Sequence, residues 1–135
     1  MKIDGVGIHP YGSNPLSVLA NVISARSALS AAGRAGVPLY VTEFGWATNP
    51  PGGPHYLPAT LRPTFIEQTL TALGHLDCGV AAALLYAWVT PESNRSDSND
   101  WFGIHPPTGG NTADTRAFTQ ALRAAAAPAP SIACG

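Results

Sequence analysis

The sequence predicts an α/β fold of three parallel βα units. Three apolar runs, at residues 3–9, 38–44 and 80–89, each precede a stretch with helical periodicity, the alternation that a parallel sheet with crossover helices produces. The second and third runs are nearly unbroken in β-branched, aromatic and small apolar residues, as in strands covered on both faces. The chain has 135 residues, room for one domain with a core and too little for two ordinary ones.

Composition narrows the function classes. Charged residues make up 11% of the chain, against about 25% in an average soluble protein, while 45% are hydrophobic. That balance excludes a highly solvated disordered chain. Seven Lys and Arg against eight Asp and Glu leave no basic field to displace counterions from a nucleic-acid backbone, so nucleic acid is not an expected partner. The longest apolar run, 80–89, is half of the roughly 20 residues that cross a bilayer, and no membrane-spanning helix is expected. The opening Met1-Lys2-Ile3-Asp4-Gly5 lacks the apolar stretch and cleavage site of a secretory signal, which leaves a cytoplasmic protein or one whose N-terminus lies upstream. Cys78 and Cys134 allow at most one bridge. The four histidines His9, His55, His75 and His105 include no pair at ligand spacing, so neither metal nor cofactor is expected.

Element by element, residues 3–9 form the first strand and end in Pro10-Tyr11-Gly12. Asn14 caps a helix with Pro15 at its first position and Leu16, Leu19, Val22, Ile23 and Leu29 on its apolar positions; Gly33 and Gly36 close it. The second strand, 38–44, carries the polar pair Thr42-Glu43 near its end. Pro50-Pro51-Gly52-Gly53-Pro54 makes the next segment a loop, because its prolines lack backbone donors and its glycines loosen the chain. A second helix spans 62–76 with Phe65, Ile66, Leu70 and Leu73 at helical spacing, and the third strand follows at 80–89. Residues 90–112 form a long polar loop, a length usually tied to function or mobility. The last helix, 113–127, is broken by Pro128-Ala129-Pro130, so residues 1–127 read as the folded portion and 128–135 as a frayed Ala/Pro-rich tail.

Right-handed crossovers between neighbouring parallel strands put all the helices on one side of the sheet. Three such units give a partial (β/α)8 TIM barrel, since a complete one takes about 250 residues. The opposite, apolar face then needs a cover, either the missing barrel half or self-association.

Ligands sit at the C-terminal ends of parallel strands, and all three predicted strands place polar or aromatic residues there: His9 and Tyr11, Glu43 and Trp46, then Trp88. Ile8-His9-Pro10-Tyr11, Val41-Thr42-Glu43-Phe44-Gly45-Trp46 and Leu85-Tyr86-Ala87-Trp88 resemble the sixth, seventh and eighth strand ends of clan A retaining glycoside hydrolases, cellulase-like or β-xylosidase-like. Trp101-Phe102-Gly103-Ile104 extends the resemblance, which covers most of the chain from Asp4 to Ala124. It implies a hydrolase of O-glycosyl bonds in a β-linked oligo- or polysaccharide, with Glu43 as the catalytic nucleophile. It also implies that His9 and Tyr11 bond the nucleophile or the sugar, that Trp88 is the aromatic floor under the sugar, and that Trp46 and Trp101 extend it. Each residue has a structural alternative: a capping or ion-paired glutamate, a core histidine, a packing tyrosine or tryptophan. Glu92, Asp97 and Asp100 read as wet loop surface.

One departure from the family pattern counts against activity in this chain alone. Retention needs a second carboxyl, about 5–5.5 Å from the nucleophile, and in the family it belongs to an Asn-Glu pair ending the fourth strand. The sequence contains no Asn-Glu dipeptide. The alternative from another class is a noncatalytic carbohydrate-binding or interaction fragment. A small nucleotide-binding domain is excluded by the lack of a Gly-rich phosphate loop after any strand.

Overall fold

The computed structural model describes residues 2–134. Three strands, β1 (Val6–Ile8), β2 (Leu39–Phe44) and β3 (Val80–Leu85), form one parallel sheet in the order β1-β2-β3. Val6 pairs with Leu39 and Ile8 with Val41; Leu39 pairs with Val80, Val41 with Ala83 and Phe44 with Leu85. Helices α1 (Pro15–Ala31), α2 (Arg62–His75) and α3 (Ala113–Ala126) alternate with the strands. The three βα units thus stand in the predicted order.

Local signals explain most boundaries. Asn14 Oδ1 accepts from the Ser17 amide at 2.9 Å and Ser17 Oγ accepts from the Asn14 amide at 3.0 Å, a reciprocal cap ahead of Pro15. Thr112 and Thr115 repeat the device at the start of α3. Gly33, at φ 69°, turns the chain out of α1. The strands are shorter than their apolar runs. β1 is an edge strand with a single neighbour, and β3 stops at Leu85 because the chain beyond it pairs with another loop.

The core lies on one side of the sheet. Leu39 and Val41 point toward Val18 and Val22 of α1, Ile66, Leu70 and Leu73 of α2, and Ala121 of α3, all in one buried cluster. Gly74 lets α3 come close, since a Cβ there would overlap Ala125. On the other face Tyr40 is 39% and Leu84 52% exposed, and Thr42 and Ala82 are open as well. Arg26 of α1 laces the lower ends together: Nε donates to Cys78 O at 2.7 Å, Nη1 to Ala35 O at 2.6 Å and Nη2 to Val37 O at 2.8 Å.

The tail departs from the expectation of fraying. Ile132 forms a parallel bridge to Leu76, donating to His75 O at 2.7 Å and accepting from the Asp77 amide at 2.9 Å. Cys134 is disulfide-bonded to Cys78. A proline-broken segment with no periodicity gives no local sign of either contact, because both partners lie more than fifty residues earlier. No helix among the described residues is long and apolar enough to cross a membrane.

Candidate active site at the strand ends

Glu43 is the penultimate residue of β2, next to the chain leaving β1. Tyr11 Oη donates to Glu43 Oε2 at 3.0 Å, and His9 Nδ1 lies 3.5 Å from the same oxygen. Among the described residues nothing hydrogen-bonds Oε1, and the carboxylate side chain keeps 37% of its surface in solvent. One oxygen is therefore held while the group as a whole stays accessible. Burial, then the hydrogen bond to Glu43 and its charge, push the Tyr11 phenol well above the usual tyrosine range. Tyr11 thus remains a donor throughout the physiological range.

The segment carrying His9 and Tyr11 is braced from several sides. Thr42 Oγ1 donates to Ile8 O at 3.3 Å, Asn21 Nδ2 to Tyr11 O at 2.9 Å and Trp46 Nε1 to Gly12 O at 2.8 Å. Two further rings meet Tyr11. His55 stacks on it with centroids 4.4 Å apart and planes at 27°, and Phe102 meets it edge-on at 6.0 Å. Phe102 also meets Tyr86 at 5.2 Å, so Tyr11, His55, Phe102 and Tyr86 form one aromatic group beside the carboxylate. Gly45 permits the approach of β3 here, since a Cβ would collide with the Tyr86 carbonyl oxygen.

The three tryptophans expected around the sugar have three different surroundings. Trp46 is 1% exposed, edge-on to Phe44 at 6.3 Å and Phe65 at 5.5 Å; it is a core residue that fastens Gly12. Trp101 ends a short 3₁₀ turn, Ser98–Trp101, and donates Nε1 to Asn94 O at 2.8 Å. Trp88 is 54% exposed, stacked on His105 at 5.2 Å and edge-on to Phe118 at 6.0 Å, with no ring contact to Tyr11, His55 or Phe102. The cause is a change of direction after β3. Tyr86 makes the last ladder bond, to Phe44 O at 2.8 Å; Ile104 then donates to Ala87 O at 3.1 Å and His105 to Trp88 O at 2.9 Å.

Glu92, Asp97 and Asp100 serve their own loop. Asp100 accepts from Ser93 Oγ at 2.9 Å and the Asn94 amide at 2.8 Å, and these bonds, the Asn94 amide first, lower its pKa. Asp97 accepts from the Asn99 amide, and the Glu92 amide donates to Asp100 O. Among the described residues no group of three or more His, Cys, Asp or Glu side chains could hold a metal ion.

Sequence reasoning gave no site role to His55, Tyr86, Phe102 or Arg62. Arg62 reads as the start of a helix, yet it is buried and donates to three loop carbonyls: Trp46 O at 3.3 Å, Trp101 O at 3.0 Å and Gly103 O at 2.8 Å. Its Nε also donates to Asp114 Oδ2 at 2.9 Å. Tyr86 sits in the same apolar run as Trp88, and only the early end of β3 distinguishes the two. His55 lies in a Pro/Gly loop with no periodicity to reveal its direction.

No protein-family model matches the chain, and no curated relative does. Among solved structures, a GH5_18 variant from Bifidobacterium longum subsp. longum, in complex with Manb1-4GlcNAc, matches with TM-score 0.63 and 15% identity over 96% of this chain. A structure of two fungal β-1,4-galactanases matches with TM-score 0.53 and 17% identity over 86% of this chain. The chain spans about a third of the first of these, 32%, and 38% of the second. The likeness is one of fold, and it makes the three units a partial (β/α)8 barrel of the kind that the strand-end motifs resemble.

Proposed function

We propose that these residues are the C-terminal part of a retaining O-glycosidase barrel that acts on a β-linked oligo- or polysaccharide, with Glu43 as nucleophile. The observation that carries this reading is the 3.0 Å hydrogen bond from Tyr11 to Glu43 Oε2, beside His9, at the ends of two neighbouring parallel strands. The complex of the Bifidobacterium longum protein with Manb1-4GlcNAc supports a carbohydrate ligand. The Cys78–Cys134 bridge fits an oxidising compartment, where polysaccharide substrates are met.

In the first step Glu43 Oε1 bonds to the anomeric carbon while the bond to the leaving oxygen breaks and that oxygen takes a proton from an acid. Tyr11 holds Oε2 throughout, and the product is a glycosyl ester on Glu43. Water, deprotonated by the conjugate base of the same acid, then attacks the anomeric carbon and frees the Glu43 carboxylate. The sequence has no Asn-Glu pair to supply that acid, so it comes from outside these residues. This gap is what favours the second reading, a fragment that binds carbohydrate without cleaving it.

An activated 2-fluoro dinitrophenyl glycoside separates the two, because its phenolate leaves without protonation while deglycosylation still needs the base. In a longer polypeptide, or with a complementing N-terminal fragment, and with the acid removed, peptide mapping should find one added glycosyl unit on Glu43 and none in Glu43→Gln. Labelling of Glu92, or robust turnover of natural substrate by these residues alone, would overturn the assignment. Sugar binding with no ester would establish the noncatalytic reading.

A further inference from the structure

We infer that His55 is a positioning residue, whose ring, stacked on Tyr11, holds the phenol in line with Glu43. Its functional meaning rests on the reading of Glu43 as a nucleophile; its physical content does not.

The loop that carries His55 is built to present it. Gly53 donates to Pro50 O at 3.0 Å and Tyr56 to Gly53 O at 3.1 Å, two successive tight turns. The loop then closes against the end of β2, with the Ala47 amide donating to His55 O at 3.0 Å and Leu57 to Ala47 O at 2.8 Å. His55 itself has φ 56°, in the left-handed region where glycine is the unstrained choice. The loop has glycine at 52 and 53, yet position 55 carries an aromatic side chain. Backbone strain of this kind persists where the surrounding structure over-determines the residue. His55 is exposed, and what holds it is the Ala47 hydrogen bond to its carbonyl and the 4.4 Å stack of its ring on Tyr11.

The stack has a consequence at the carboxylate. Phe102 meets Tyr11 edge-on and His55 covers a face, so together they confine the half-buried ring and shield part of it from solvent. The charged and titratable groups around the phenol are Glu43, His9, Tyr86 and His55 itself. Burial is the largest cause of the upward shift of the Tyr11 phenol, ahead of its bond to Glu43. Removing the His55 ring should hydrate Tyr11, release its aim at Oε2 and bring the phenol's titration down.

The test uses the full 135-residue chain labelled with 13C at tyrosine Cζ, with the Tyr11 signal assigned by its loss in Tyr11→Phe. In the parent chain and in His55→Phe, which keeps a stacking ring, the Tyr11 signal should stay unmoved to high pH. In His55→Asn, which tolerates the left-handed backbone but has no ring, its transition should begin at least about one pH unit lower. His55→Gly, which removes the ring and relaxes the backbone, should do the same. Ring variants that retain the parent's amide spectrum and titrate with it overturn the inference, and so does His55→Phe titrating like His55→Asn. A failed titration with Glu43 still labelled by the fluoro glycoside would dismiss His55 alone. A shifted titration with no ester would dismiss the glycosidase reading alone.

Discussion

Arg62 shows what a single side chain contributes to this fold. Its guanidinium reaches the loop after β2 through Trp46 O, the loop after β3 through Trp101 O and Gly103 O, and the first turn of α3 through Asp114. Both members of the pair are under a tenth exposed, and among the described residues Asp114 Oδ1 has no partner, so the arginine supplies the side-chain bonds that the aspartate makes. Buried pairs of this kind add little net stability compared with an apolar replacement, but removing one partner leaves the other charge stranded. Asp114→Ala should therefore cost about 3–5 kcal/mol in equilibrium urea unfolding. Arg62→Lys should not preserve the parent's stability, because one ammonium cannot serve three carbonyls and a carboxylate. A loss under about 1 kcal/mol in Asp114→Ala would show that water reaches the pair.

At the scale of elements, the last stretch of chain matters beyond its composition. The Cys78–Cys134 bridge joins residues 56 apart, so its main effect is to restrict the unfolded chain, by about 4 kcal/mol on the loop-entropy estimate. It enters at the turn between α2 and β3, beside the Arg26 hydrogen bond to Cys78 O, and fastens the lower end of the sheet from two directions. Replacing both cysteines with serine should lower the unfolding free energy by roughly that amount. Amide exchange at Ile132 and Asp77 should rise in the same variant while the amides of β2 stay protected. Uniform exchange through the whole chain would instead mean that the tail is part of the global folding unit.

For the whole molecule the governing feature is an open sheet. Among the described residues both edges of the three-stranded array, β1 and β3, lack a partner strand, and one face exposes Tyr40 and Leu84. Trp88, Val89 and Leu122 add exposed apolar surface around the β3 side. Unpaired edges and a continuous apolar face recruit further strands or helices. Studied alone, the chain should self-associate in sedimentation measurements or bind a hydrophobic dye. A dilute monomer that unfolds in one sharp transition and binds no dye would contradict the partial barrel.

Order, type and approximate limits of the elements were legible in the sequence, because they rest on short-range physics: alternation of apolar runs with helical periodicity, Asn14 and Pro15 at a helix start, glycines at its end. That His9, Tyr11 and Glu43 lie near one another was legible for a related reason, since parallel strands in sequential order bring their C-terminal ends together, while the bonding of His9 and Tyr11 to Glu43 was implied only by the family resemblance. What the tertiary structure decided lies where direction matters more than position. Trp46 turned into the core, Trp88 followed a chain that left the sheet three residues before it, and His55 came to Tyr11 through a left-handed turn. Arg62 found partners in three separate segments, and Cys134 found Cys78. None of these is a local preference. Each is set by contacts between residues distant in sequence, and periodicity carries no information about them.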